Sequence, residues 1–122
     1  MTFQLKVGYV NVFVSDFERA QAFYGDTLGL PLNHADAAFG YASFQAGPVS
    51  LGIAHTDDAA LRGRHTGVGF LCDDIDKVYA ALTAKGVTFE MPPTQQPWGG
   101  VLALFRDPDG NVFYLDPGHP PD

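Results

Sequence analysis

The chain has 122 residues, the length of one domain; 46% are apolar and 13% aromatic, enough to bury a core. Only 17% are charged, which excludes a disordered chain, and there is no run of about 18 apolar residues to span a membrane. The formal net charge of −7 argues against nucleic acid, whose phosphates need a basic surface, and suits a cationic ligand drawn to an acidic groove.

The opening MTFQLKVGYV lacks the basic start, apolar stretch and cleavage site of a signal peptide, and Cys72 is the sole cysteine. A cytoplasmic protein with a buried, unpaired thiol is expected. Residues 5–14 read as a strand, because Val10, Val12 and Val14 alternate with Tyr9, Asn11 and Phe13. Ser15 and Glu18 are spaced as a capping box, with Asp16 in the positive first turn of a helix. Phe17, Ala20, Tyr24 and Leu28 give that helix one apolar face, and Gly29 and Pro31 close it. Three short strands follow at about 30–35, 39–46 and 49–55, with Gly47-Pro48 turning between the last two. Residues 56–66, TDDAALRGRHT, are polar and read as a linker.

The second half repeats the first. Val68, Phe70 and Cys72 alternate with Gly67, Gly69 and Leu71. Asp73 takes the place of the Ser15 cap and Asp76 that of Glu18. Ile75, Val78 and Leu82 form the helix face, and Gly86 ends it. A shift of 58 residues maps Tyr9 on Gly67, Val14 on Cys72 and Phe17 on Ile75. Three strand signals lie at about 87–91, 98–106 and 111–116, separated by a proline-rich loop, 92–97, and by the turn Asp107-Pro108-Asp109-Gly110-Asn111. The tail PGHPPD reads as irregular.

This order predicts a single α+β domain over 1–122, built of two tandem βαβββ repeats, about 5–55 and 67–116. Neither repeat alone carries a comfortable core. Two curved mixed sheets with their helices on one side leave the opposite concave faces to line a cleft.

The stretches VNVFVSDFERAQAFYGDTLGL and FRDPDGNVFYLD resemble the opening and the closing hairpin of vicinal oxygen chelate proteins, the glyoxalase/bleomycin-resistance/dioxygenase group. The resemblance covers the whole chain. It implies the fold more specifically than the activity, since this fold carries many chemistries. Metal-dependent members, among them glyoxalase I, extradiol dioxygenases and methylmalonyl-CoA epimerase, hold a divalent metal through His and Glu or Asp on the first and last strands of each repeat. By the resemblance those four positions are here Tyr9, Gly52, Gly67 and Tyr114. Glycine has no ligating side chain, and tyrosine supplies neither imidazole nor carboxylate. No metal or other cofactor is therefore expected. His65 shares strand parity with Gly67 and is the first residue to consider if a metal is present; His34, His55 and His119 lie at strand ends or in the tail. The chain has no compact zinc pattern, no nucleophile elbow and no phosphate loop. Cys72 shares the helix-facing parity of its strand and reads as core.

The replaced positions have a chemistry of their own. Two glycines open volume, and two tyrosines supply flat faces with a polar tip. Strand parity adds Asn11 and Phe13 beside Tyr9, Ser50 beside Gly52, Gly69 beside Gly67 and Asp116 beside Tyr114. Trp98 stands in QQPWGG, similar to a Gln-Pro-Trp-Gly run before the closing hairpin of bleomycin-resistance proteins, where the tryptophan lies at the ligand groove. It can stack on a flat or cationic ligand or plug the space between the halves. These ten residues, Tyr9, Asn11, Phe13, Ser50, Gly52, Gly67, Gly69, Trp98, Tyr114 and Asp116, form the candidate ligand site. The leading expectation is a metal-free small-molecule binder of the antibiotic-resistance type, a homodimer acting by sequestration. The alternative is a lyase, isomerase or dioxygenase of the same fold, with a displaced metal or acid–base work by Tyr9, Tyr114 or Asp116. A third is an accessory protein with a vestigial cleft.

Overall fold

In the computed structural model, which describes residues 3–118, the chain divides between Arg62 and Gly63 into two compact units. The first contains β1 (Tyr9–Val14), α1 (Phe17–Ala22), β2 (Leu32–Asp36), β3 (Tyr41–Ala46) and β4 (Val49–His55). Its sheet has the order β1-β4-β3-β2, with β1 parallel to β4 and the other pairs antiparallel. Alternation sorts its two faces. Val12, Val14, Ala42, Phe44, Leu51 and Ile53 are buried with Ala20, Phe23 and Tyr24 of the helical segment. Each large apolar side chain so buried contributes about 1.5–3 kcal/mol.

The expected helix has two parts. After α1 the chain continues as a π-helical turn, Phe23–Thr27, whose widened ring is closed by the Leu28 N–H donating to Phe23 O at 2.9 Å. The insertion places two consecutive aromatic residues on the core side: Phe23 and Tyr24 are both buried and stack at 5.2 Å. Gly25 lets the sheet approach, since a Cβ there would stand 3.4 Å from Phe44 Cε1.

The helix caps fall one residue later than the capping-box spacing suggests. Asp16, not Ser15, is the first N-cap, its Oδ1 accepting from the Arg19 N–H at 3.0 Å. Asp74, not Asp73, caps the second helix and accepts from the Lys77 N–H at 3.1 Å. At the first helix Asp16 brings a carboxylate, the stronger acceptor, to the positive end, and the shift of 58 residues relates it to Asp74 at the second.

The second unit contains β5 (His65–Leu71), α2 (Ile75–Ala84), β6 (Thr88–Gln95), β7 (Val101–Arg106) and β8 (Val112–Asp116). Its sheet order is β5-β8-β7-β6, the counterpart of the first. Ile75, Leu82, Ala103, Phe105, Phe113 and Leu115 form its core, with Phe105 and Phe113 stacked at 5.5 Å. The strand β6 runs through Pro92 and Pro93, which the sequence places in a loop. It tolerates them because it is an edge strand, where a missing N–H costs no ladder bond. The first strand begins at Tyr9 rather than residue 5, β7 begins at Val101 rather than 98, and β5 already starts at His65 inside the expected linker. His119 and the rest of the tail lie outside the described residues.

The closing turn is a buried polar knot. Asp107 Oδ1 accepts from the Asp109 and Asn111 N–H groups, each at 2.9 Å, and Asn111 Nδ2 donates to Asp107 Oδ2 at 2.8 Å. Asn111 Oδ1 accepts from the Gly63 N–H at 2.8 Å, which ties the start of this unit to its last hairpin. No helix among the described residues is long and apolar enough to cross a membrane.

Candidate functional site

In the first unit, one face of the sheet is turned away from the helix. Its register aligns Tyr9 with Ser50, Asn11 with Gly52 and Phe13 with Ala54 on β1 and β4. On β3, Gln45 lies opposite Ser50, Ser43 opposite Gly52 and Tyr41 opposite Ala54. The predicted residues Tyr9, Asn11, Phe13, Ser50 and Gly52 therefore share one face, as strand parity requires. Tyr9 is 66% exposed on it.

Gly52 does not leave an empty floor. A Cβ there would collide with Asn11 Oδ1 and stand 2.7 Å from Tyr41 Oη. The volume freed by the glycine is filled by these two neighbours, and Tyr41 Oη donates to Asn11 Oδ1 at 3.4 Å. Tyr41 and Ser43 are absent from the sequence-derived set. The alternation of Tyr41, Ser43 and Gln45 with the buried Ala42 and Phe44 marks them in the sequence as facing the same way as Gly52.

In the second unit, Gly69 pairs with Tyr114 and Leu71 with Asp116, while Leu104 of β7 lies opposite Tyr114 and Met91 of β6 opposite Leu104. Gly69, Tyr114 and Asp116 thus share a face with Leu71, Leu104 and Met91, and Leu71 is 75% exposed. This open face is mainly apolar, whereas that of the first unit is mainly polar.

Gly67 departs from the simple parity argument. The register shifts between His65 and Gly69, and Gly67 has φ 73°, a left-handed backbone that disfavours any side chain. His65 occupies this bulge: its Nδ1 accepts from the Gly67 N–H at 3.0 Å, and its ring lies 4.8 Å from that of Tyr114. Asp116 Oδ1 is engaged by the Gly118 N–H at 2.7 Å.

Trp98 lies in the turn between β6 and β7, where Gly99 N–H donates to Gln96 O and Gln96 N–H to Gly100 O. It is 62% exposed. Its six-membered ring folds over Gly100, where any Cβ would collide with it.

Cys72 is half-buried rather than buried. Its thiol is pushed above the usual value, first by burial and then by the carboxylates of Asp116, Asp73 and Asp74. It is held as a protonated thiol, a poor nucleophile. A cavity of about 470 Å³ lies on the helix side of the first unit, lined by Glu18, Gln21, Asp26, Leu30, Leu32 and Phe44 among others, and includes none of the predicted ligand residues.

Two units of order β-α-β-β-β, each with a mixed sheet and an uncovered face, define the architecture of the glyoxalase/bleomycin-resistance fold. The family model described as Glyoxalase/Bleomycin resistance protein/Dioxygenase superfamily matches residues 6–115, and the chain belongs to that superfamily. It is 31% identical to the uncharacterised protein YraH of Bacillus subtilis (strain 168), over 91% of this chain and 97% of the relative. A crystal structure of a superfamily member from Sphaerobacter thermophilus DSM 20745 is 31% identical, covers 93% of this chain and 97% of its own, and superposes with TM-score 0.77. TnmS3, an antibiotic binding protein from Streptomyces sp. CB03234, is 31% identical, covers 95% of this chain and 98% of its own, and gives TM-score 0.79.

The residues at the four positions that the family resemblance assigns to metal ligands do not fit a divalent ion. Gly67 cannot carry a ligating side chain without backbone strain, and the space over Gly52 belongs to Asn11 and Tyr41. Among the described residues no three of His, Cys, Asp or Glu converge as a metal-binding group.

Proposed function

We propose that the protein binds and sequesters a flat or cationic small molecule on its open sheet faces, without metal and without bond breaking, and does so as a homodimer. The observation that carries this reading is the replacement of the four metal positions by Tyr9, Gly52, Gly67 and Tyr114. An aromatic and polar surface stands where metal-dependent members place His and carboxylates. Tyr9 and Trp98 offer large, exposed aromatic faces of the kind that stack on a ligand. The likeness to an antibiotic binding protein supports the same class of ligand. Pairing of two copies supplies a larger binding surface than one chain, through the closed twofold symmetry most soluble oligomers adopt.

Two measurements on purified protein test the reading. Elemental analysis should find no stoichiometric divalent metal, and light scattering should give a particle of two 13.1 kDa chains. A tightly held metal would argue instead for the enzymatic alternative, and a monomer at tens of micromolar would remove the dimer.

A further inference from the structure

The open face of the first unit has a donor pattern that narrows the ligand's chemistry. Across three strands, Asn11, Gly52 and Ser43 form one row, with Ser50 in the row beside it. Gly52 is buried beneath Asn11 and Tyr41, and Tyr41 Oη donates to Asn11 Oδ1. This uses the amide oxygen and turns Nδ2, with two N–H donors, away from Tyr41. Gln45, the other amide in the patch, is already engaged: its Nε2 donates to Gly47 O, and its Oε1 accepts from Asn33 Nδ2 at 3.2 Å.

We propose that Asn11 is the recognition residue for a ligand oxygen that accepts hydrogen bonds (a carbonyl, phenolate or carboxylate on a flat ring), and that Tyr41 is the positioning residue that fixes which side of the amide faces out. The inference rests on the binding reading and refines it: the ligand presents an acceptor to the first unit, and its charge is secondary there. Ser43 and Ser50 hydroxyls flank the same point and extend the polar strip. Gly52 is the enabling residue, because any side chain at that position would displace the pair.

The test uses two neutral bicyclic probes of similar size, coumarin, which only accepts, and indole, whose N–H donates. Binding is followed by nuclear magnetic resonance on ¹⁵N-labelled full-length protein, reading the Asn11 side-chain amide directly. Coumarin should shift the Asn11 Nδ2 resonances and bind at least about fivefold more tightly than indole, the value of one neutral hydrogen bond. Asn11→Asp keeps an acceptor for Tyr41 but removes both donors, and should abolish the preference for coumarin. Tyr41→Phe keeps the ring, and should lower the coumarin-to-indole ratio about threefold; a merely structural role would move both probes together and leave the ratio as it was. If coumarin shifts resonances near Trp98 or Tyr114 while the Asn11 amide stays unmoved, acceptor recognition is overturned and ligand binding stands. If neither probe moves any resonance, the inference and the binding reading fall together.

Discussion

Asn111 and Gly63 are joined across 48 positions of sequence by a 2.8 Å hydrogen bond from the Gly63 N–H to Asn111 Oδ1. Asn111 is 2% exposed, and its Nδ2 at the same time donates to Asp107 Oδ2. One side chain thereby fixes both the shape of the closing turn and the entry of the chain into β5. Asn111→Ala removes partners from buried polar groups and should destabilise the protein by about 2–4 kcal/mol. Urea unfolding measures this; a loss below about 1 kcal/mol would mean that the knot is dispensable.

Gly52 and Gly67 should respond differently to substitution. Gly67→Ala forces a side chain onto φ 73° with open space around it, and should cost about 1–2 kcal/mol whatever its neighbours. Gly52→Ala should cost about 1–3 kcal/mol by overpacking against Asn11 and Tyr41, and Asn11→Ala should relieve at least half of it. A double-mutant cycle with no coupling between positions 11 and 52 would contradict the packing described.

Periodicity made the two repeats and part of the core legible in the sequence: Val12 and Val14 face inward as their strand parity demands, and Ala20, Ile75 and Leu82 as their helical spacing does. What it could not supply was local departure from regularity. The bulge at Gly67 breaks period two, and nothing in His65-Thr66-Gly67 announces it beyond the glycine itself. The π-helical turn at Phe23–Thr27 likewise depends on tertiary burial of adjacent aromatics. Ser15 has the capping-box spacing to Glu18, yet the N-cap whose side chain accepts from the first turn is Asp16, one residue on. Candidate residues on one strand share a face as their parity requires, whereas the hydrogen bond of Tyr41 to Asn11 reaches across β4 and leaves no mark in the spacing of either strand.

Cys72 carries a pH dependence of definite sign. Its folded-state thiol titrates above the usual value because of burial and nearby carboxylates. The folded state therefore favours the protonated form, so this stability is fully present below the unfolded thiol's value, about 8.5, and is lost as pH rises beyond it. Between pH 8 and 10 the wild type should lose more stability than Cys72→Ser, and its alkylation by iodoacetamide at pH 8 should be slower than that of free cysteine. Equal pH slopes for the two proteins, or rapid alkylation, would contradict this account.

Trp98 separates a binding role from a packing role. Since it is 62% exposed, Trp98→Ala should change the thermal midpoint little. A stacked ligand should bind about three- to thirty-fold more weakly, the equivalent of roughly 0.5–2 kcal/mol. Fluorescence of proflavine, a flat cationic dye, reports the affinity. A large drop in stability with no change in affinity would assign Trp98 to packing.

Metal-free ligand binding is tested most directly by calorimetric titration of chelator-treated protein with proflavine and coumarin, neither of them a strong chelator, each repeated after addition of equimolar zinc or manganese. Saturable binding of at least one compound to the metal-free protein, unchanged by either metal and accompanied by thermal stabilisation, is the predicted result. Binding or turnover that appears only when metal is restored, or no binding under either condition, would contradict it.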